Sequence, residues 1–270
     1  MANAASQRIA GSADLKPGDA YVQSFARGLE VIRSFSADAP RQTLTEVAER
    51  SGLTRAGARR ILLTLHSLGY VTLEGKVFSL SPRILDLGFA YLSSMPIWNL
   101  AEPVMEKLVA EVRESCSVAV LDDTDIVYVL RIPTHKIMSI NLGVGSRLPA
   151  YCTSLGRVLL GALPDDELAD RLQRSDITTR TKYTVTDMND LLARIEQTRR
   201  QGWSMVNQEL EEGLVSMSAP ITDRAGRTVA ALNISGQANR TSAKIMQETM
   251  LPQLLAAAKD ISRMLTIQRA

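Results

Sequence analysis

Residues 44–71, LTEVAERSGLTRAGARRILLTLHSLGYV, hold two short helical patterns joined through one glycine, and no other stretch constrains the fold as strongly. Thr43 stands three residues ahead of Glu46, so each side chain can satisfy an orphan amide at a helix start, while Leu44, Val47 and Ala48 supply an inward face. This helix is short and ends near Ser51. Gly52 permits the left-handed backbone of a tight turn, and Thr54 is placed to cap a second helix that starts at Arg55. On that helix Ala58, Ile61, Leu62, Leu65 and Gly69 form the inward stripe, leaving Ala56, Arg59 and Arg60 opposite and Arg55 at the edge. Upstream, Phe25, Leu29, Ile32 and Phe35 mark one face of a helix over residues 22–36. Downstream, Val71 and Leu73 alternate before Glu74 and Gly75, and Phe78 and Leu80 alternate after them, which predicts a hairpin with those two residues at its tip.

The sum is a winged helix-turn-helix over residues 21–81, behind a polar tail at 1–20. Three arginines on a helix are by themselves more often a solvated face; their place in a capped helix-glycine-helix turns the reading toward DNA. The first turns of the second helix meet base edges in such a module, so Thr54, Arg55, Ala56 and Arg59 are the expected base readers and Arg60 a phosphate contact. Thr43 and Lys76, the latter beside the hairpin tip, complete the expected interface with double-stranded operator DNA. Charge supports this only mildly. Residues 1–82 carry ten basic against seven acidic side chains, a +3 segment in a chain of net charge +2.

At 270 residues the chain suits two domains. Pro82 opens a helix whose face Ile84, Leu87, Gly88 and Tyr91 outlines, and Pro96 stops it, so residues 82–95 read as a linker helix with a dimer-forming face. Residues 96–270 read as one α+β domain. It opens with a helix over residues 100–114, with Val104, Leu108 and Val112 inward, followed by strands in SVAVLDDTDIVYVLRI and KIMSINL. Helices follow in CTSLGRVLLGAL, DDELADRLQRS and MNDLLARIEQTRRQGW, then strands in GWSMVNQ, VSMSAPITD and TVAALNIS. KIMQETMLPQLLAAAKDISRMLTIQ predicts one long closing helix. The start YCTSLG brings hydroxyls and backbone amides to a helix N-terminus, where the dipole favours an anion such as a carboxylate. Arg131, at a strand end, is a further candidate to hold a carboxylate with two hydrogen bonds.

Other chemistry is thinly represented. Cys116 and Cys152 lack metal-ligand spacing and read as reduced, partly buried thiols. Glu209, Glu211 and Glu212 read as a solvated loop, and no metal site is expected. His66 and His135 are the two histidines, and a Cys152–His135 pair has no third partner. GVGSRLPAYCTSLG lacks dinucleotide-site spacing, so no cofactor is expected. No apolar run approaches the ~20 residues of a membrane span, and the N-terminus lacks a signal peptide's pattern, which points to the cytoplasm. An enzyme with an accessory basic domain stands as the alternative to a regulator.

Taken together, LTEVAERSGLTRAGARRILLTLHSLGYV, FSLSPRILDLGFAYLSS, GSRLPAYCTSLGRVLLGALP and GWSMVNQELEEGLVSMSAPITDRAGRTVAALNIS resemble, in this order and spacing, the IclR family of bacterial transcription regulators. TRAGARRILLTL and RLPAY look closest to the branch that controls aromatic catabolism, the protocatechuate and 4-hydroxybenzoate regulators. The resemblance implies a winged-helix domain, a linker helix and a GAF/PAS-like effector domain, assembled as homodimers or homotetramers. It further implies a small carboxylate effector held by Thr153, Ser154 and Leu155 at a helix start, by Ser216, Asn233 and Ser235 on a polar floor, and by apolar walls at Ile137 and Ile140.

Overall fold

The computed structural model describes residues 21–94, 97–134 and 142–267, without the side chain of Trp98. The chain divides into two compact units, with the boundary between Tyr91 and Leu92.

In the first unit, α1 (Gln23–Arg33) precedes β1 (Arg41–Thr43), α2 (Leu44–Arg50), α3 (Arg55–Ser67), β2 (Val71–Glu74) and β3 (Val77–Leu80). Thr43 and Glu46 form the reciprocal capping box, with the Thr43 amide donating to the Glu46 carboxylate at 2.6 Å. Those hydrogen bonds hold the Glu46 carboxyl below the ordinary carboxylate range. Gly52 takes φ +65° in the turn, and the Thr54 hydroxyl accepts from the Gly57 amide at 3.1 Å to cap α3. The core gathers Val31, Val47, Ala58, Leu62, Leu65, Val71 and Phe78.

Three expectations need correction here. On α1 the fully buried residue is Val31, whereas Phe25 and Leu29 are exposed; the chosen face lies to one side of the core-facing one. Gly69 is not on α3 but follows it at φ +81°, a backbone conformation that ends the helix. Glu74 pairs with Val77 inside the ladder, so the tip is Gly75 and Lys76. A third strand, β1, adds to β3 and carries Arg41 to within 2.6 Å of the Glu74 carboxylate.

A 3₁₀ turn at Pro82–Ile84, capped by Ser81, leads into α4 (Leu85–Ser93), which buries none of its residues. The second unit continues with α5 (Ile97–Val112), β4 (Ser115–Asp122), β5 (Asp125–Ile132), β6 (Arg147–Pro149), α6 (Ser154–Gly161), α7 (Asp165–Arg174) and α8 (Met188–Gln201). Then come β7 (Ser204–Asn207), β8 (Leu214–Thr222), β9 (Thr228–Gln237), α9 (Ala243–Thr249) and α10 (Leu251–Ile267). On α5 the buried stripe is Ile97, Ala101, Met105 and Leu108; of the expected inward residues Leu108 belongs to it, while Val104 and Val112 pack half-buried at its edge. The strand expected in KIMSINL falls, except for Leu142, outside the described residues. The closing helix is two helices. Pro252 has no amide to donate and its ring clashes with the preceding turn, so α9 stops and α10 restarts with Pro252 in its first turn.

All neighbours in the six-stranded sheet, ordered β6-β5-β4-β9-β8-β7, are antiparallel. Alternation along the strands then sorts the side chains. Cys116, Val118, Met217, Leu232 and Ile234 pack toward α5 and α10. Ala119, Tyr128 and Ala231 join the cluster of α6, α7 and α8 on the other face. Among the described residues no helix is long and apolar enough to cross a membrane.

Candidate functional site

On α3, burial of Ala58, Leu62 and Leu65 leaves Arg55, Ala56, Arg59 and Arg60 exposed together, with the capping Thr54 exposed at the start of the helix. Among the described residues none of the three guanidiniums has a carboxylate partner. Lys76 stands exposed at the hairpin tip. Thr43 is spent at the start of α2, where its hydroxyl and amide both bond Glu46.

The second unit contains an enclosed pocket between the sheet and the start of α6. Arg131, Thr153, Ser154, Leu155, Ser216, Asn233 and Ser235 all line it. Ile137 and Ile140 lie outside the described residues. The strand register explains the convergence. Ser218 of β8 faces Asn233 of β9, Asn233 faces Ser117 of β4, and Ser117 faces Arg131 of β5, so one polar row crosses four strands. A second row runs parallel to it through Ser216, Ser235 and Ser115.

The roles within this set differ. The Thr153 hydroxyl accepts from the Gly156 amide and donates to the Pro149 carbonyl, both at 3.1 Å. Ser154 donates to Ser216 at 2.9 Å and accepts from Ser218 at 2.7 Å. Both hydroxyls are therefore committed to holding α6 in place. Free donors at that helix start are the amides of Ser154 and Leu155, which have no hydrogen-bond partner among the described residues. Among the described residues Arg131 reaches only the neutral hydroxyl of Ser117, at 3.4 Å. Asn233 is 2 % exposed; its amide nitrogen donates to Ser235 at 2.8 Å while its carbonyl oxygen has no partner among the described residues. That oxygen is an acceptor awaiting a donor.

The pocket's charge is one-sided. No described lining residue is acidic. Burial pushes the Cys152 thiol up to about 11 and the Tyr128 phenol up to about 12, so both are neutral at neutral pH and Arg131 is the one formal charge among them. The enclosed space is ≈ 20 Å³, room for a water molecule, and an aromatic ring enters only if the walls part.

The family resemblance pointed to Ser216, Asn233 and Ser235; the polar rows of the strands are a signal that could have found them from the residues, and Ser117 and Ser218, which belong to those rows, were passed over. Tyr128, Leu148, Val206, Leu210 and Leu214 are lining residues with no local signal. Glu209 corrects an expectation outright. It is 5 % exposed and receives both ends of the Arg157 guanidinium, at 2.8 and 2.6 Å. The Val185 amide adds a bond to the same carboxylate, Thr184 donates to the Glu209 carbonyl, and Arg157 also holds the Tyr151 carbonyl. Such a fork ties α6 to the pocket wall at Leu210.

Gly156 shows how tightly α6 is seated. A Cβ there would lie 2.1 Å from the Ala150 carbonyl oxygen, backbone against backbone. Gly156→Ala is expected to cost about 1–3 kcal/mol, read as a lowered unfolding midpoint. An unchanged midpoint would contradict the close approach.

A family model described as the IclR helix-turn-helix domain matches residues 24–75, and one described as the C-terminal domain of bacterial IclR transcriptional regulators matches residues 89–263. The chain belongs to the IclR family of transcriptional regulators. This IclR-family regulator is 42% identical over 246 residues to the Pca regulon regulatory protein of Pseudomonas putida, covering 91% of this chain and 84% of that one. It is 32% identical over 246 residues to the p-hydroxybenzoate hydroxylase transcriptional activator of Acinetobacter baylyi, covering 89% and 91%. Among solved structures, a transcriptional regulator of Rhodococcus sp. RHA1 superposes with a TM-score of 0.82 at 50% identity, covering 91% of this regulator and 98% of that chain.

Proposed function

We propose that this regulator grips a pseudo-palindromic operator with the exposed face of α3 in two copies, and that a small aromatic carboxylate in the α6 pocket sets the strength of the grip. The observation that carries the proposal is Arg131: a guanidinium without an acidic partner among the described residues, in a pocket whose other described lining residues are neutral. A carboxylate answers it with a forked pair of charge-assisted hydrogen bonds, helped by the free amides at the start of α6. The orphan Asn233 oxygen asks in addition for a donor, which a ring hydroxyl supplies. Two of the relatives are regulators named for aromatic catabolism or a Pca regulon, in keeping with such a ligand.

Dimerisation is supported by α4, where Leu85, Leu87, Phe89 and Tyr91 are all exposed, and by Val22, Phe25 and Leu29 on and before α1. Because the closed pocket has no room for a ring, ligand binding selects an opened arrangement. Only its preference for that arrangement shifts the DNA-binding equilibrium. A regulator returns its ligand unchanged, which separates it from the enzyme alternative.

The test is fluorescence anisotropy on operator and random duplexes across a salt series. Arg59→Ala is expected to lose about 1–3 kcal/mol of discrimination at one base position. Arg60→Ala should weaken binding to all sequences alike and lower the salt slope by about 1. Equal losses on both duplexes for both variants would remove α3 from sequence reading.

A further inference from the structure

A second, larger cavity lies outside the effector pocket. It is a groove of ≈ 400 Å³ between α8, the loop before it and β7, with Gln247 of α9 at one side. β7 ends the six-stranded sheet, so the outer side of that strand has no strand neighbour. From α8 the exposed Arg194 enters the groove, and among the described residues its guanidinium has no carboxylate partner. One acid lines the groove, Glu209, and it is neutralised by the Arg157 fork. Two rings complete the wall: Trp203, partly buried, and Tyr183, 45% exposed, with the Lys182 ammonium 5.1 Å from the Tyr183 centroid.

We propose that this groove is a second binding site of the regulator, for a planar organic anion of the aromatic monocarboxylate class. An unpaired arginine supplies the charge, and the two rings supply faces for stacking. The volume admits a benzoate-sized molecule without rearrangement, in contrast to the closed effector pocket. The two sites share a wall. Ser204, Met205, Asn207 and Glu209 border the groove, while Val206 and Leu210 border the effector pocket. If the aromatic-acid reading of the effector pocket holds, occupation of either site biases this common segment, and the coupling is reciprocal.

The test uses the full chain and benzoate, with benzamide as the uncharged probe. Trp203 is one of two tryptophans and reports on the groove directly, so tryptophan emission is followed during titration, with Trp203→Phe as the control that assigns the signal. Benzoate is expected to change the emission and benzamide not. The benzoate isotherm should survive Arg131→Ala and weaken about 10- to 100-fold in Arg194→Ala, an exposed position where the substitution spares the fold, with partial recovery in Arg194→Lys. An emission change lost with Arg131→Ala and untouched by Arg194→Ala belongs to the effector pocket and overturns the proposal. Absence of any Trp203 response to benzoate overturns it as well. Failure of the effector reading shows separately, in an Arg194→Ala background that silences the groove, as calorimetric binding of 4-hydroxybenzoate that the added Arg131→Ala leaves intact.

Discussion

Arg131→Ala is expected to lower the affinity of the effector pocket for 4-hydroxybenzoate by roughly 10- to 150-fold, measured by calorimetry on the full chain in an Arg194→Ala background that silences the second groove. Arg131 faces Ser117, which faces Asn233, so the guanidinium lies on the same polar row as the orphan acceptor. Its one hydrogen bond among the described residues is weak, at 3.4 Å to a hydroxyl, and removing it disturbs little of the fold. What is lost is the positive charge and the fork that a carboxylate needs. Arg131→Lys keeps the charge without the planar fork and is expected to fall between alanine and wild type. Operator affinity without ligand should stay as it is. A change under about threefold in both variants would mean that the carboxylate is held elsewhere.

Glu209→Ala is expected to destabilise the second unit by about 3–5 kcal/mol, because Arg157 then remains buried with its charge unanswered. The Glu209 carboxylate takes both arms of the guanidinium and the Val185 amide, so nothing nearby replaces it. For a unit of this size the loss corresponds to a melting temperature lowered by about 6–20 °C. The double substitution Arg157→Met with Glu209→Leu removes both charges and should recover most of the loss, since a desolvated pair gains little over well-packed apolar groups. Equal destabilisation in the single and double variants would show that packing, not charge, is what matters there.

The helix-turn-helix is legible in the sequence because its determinants are local. Thr43 with Glu46, Gly52 and Thr54 act within a few residues of themselves, and each does in the fold what its spacing implies. The polar floor of the pocket was reached through the family resemblance alone, although a local signal was there: SCS in β4, SMS in β8 and NIS in β9 repeat a polar side chain every second residue on buried strands, and the pleat turns all of them to one face. Features that depend on distant partners are hidden. Arg157 and Glu209 are 52 residues apart, one in an apolar helix and the other in an acidic run, and neither context announces an ion pair. The inward face of α1 was misplaced because four apolar residues at helical spacing do not reveal that some of them are left exposed. The break before α10 had a local signal in Pro252, overridden by the length of the apolar pattern around it.

The central claim is that an aromatic carboxylate bound at Arg131 controls the grip of α3 on DNA. It is tested most directly by anisotropy titrations of the full chain on its operator duplex, with and without saturating 4-hydroxybenzoate, for wild type and Arg131→Ala at one fixed salt concentration. The account predicts that the ligand changes operator affinity severalfold or more in the wild type, in either direction, and leaves Arg131→Ala unaffected at the same ligand concentration. Identical isotherms with and without ligand, in a wild-type chain whose Arg131-dependent binding calorimetry shows to be saturated, would contradict it.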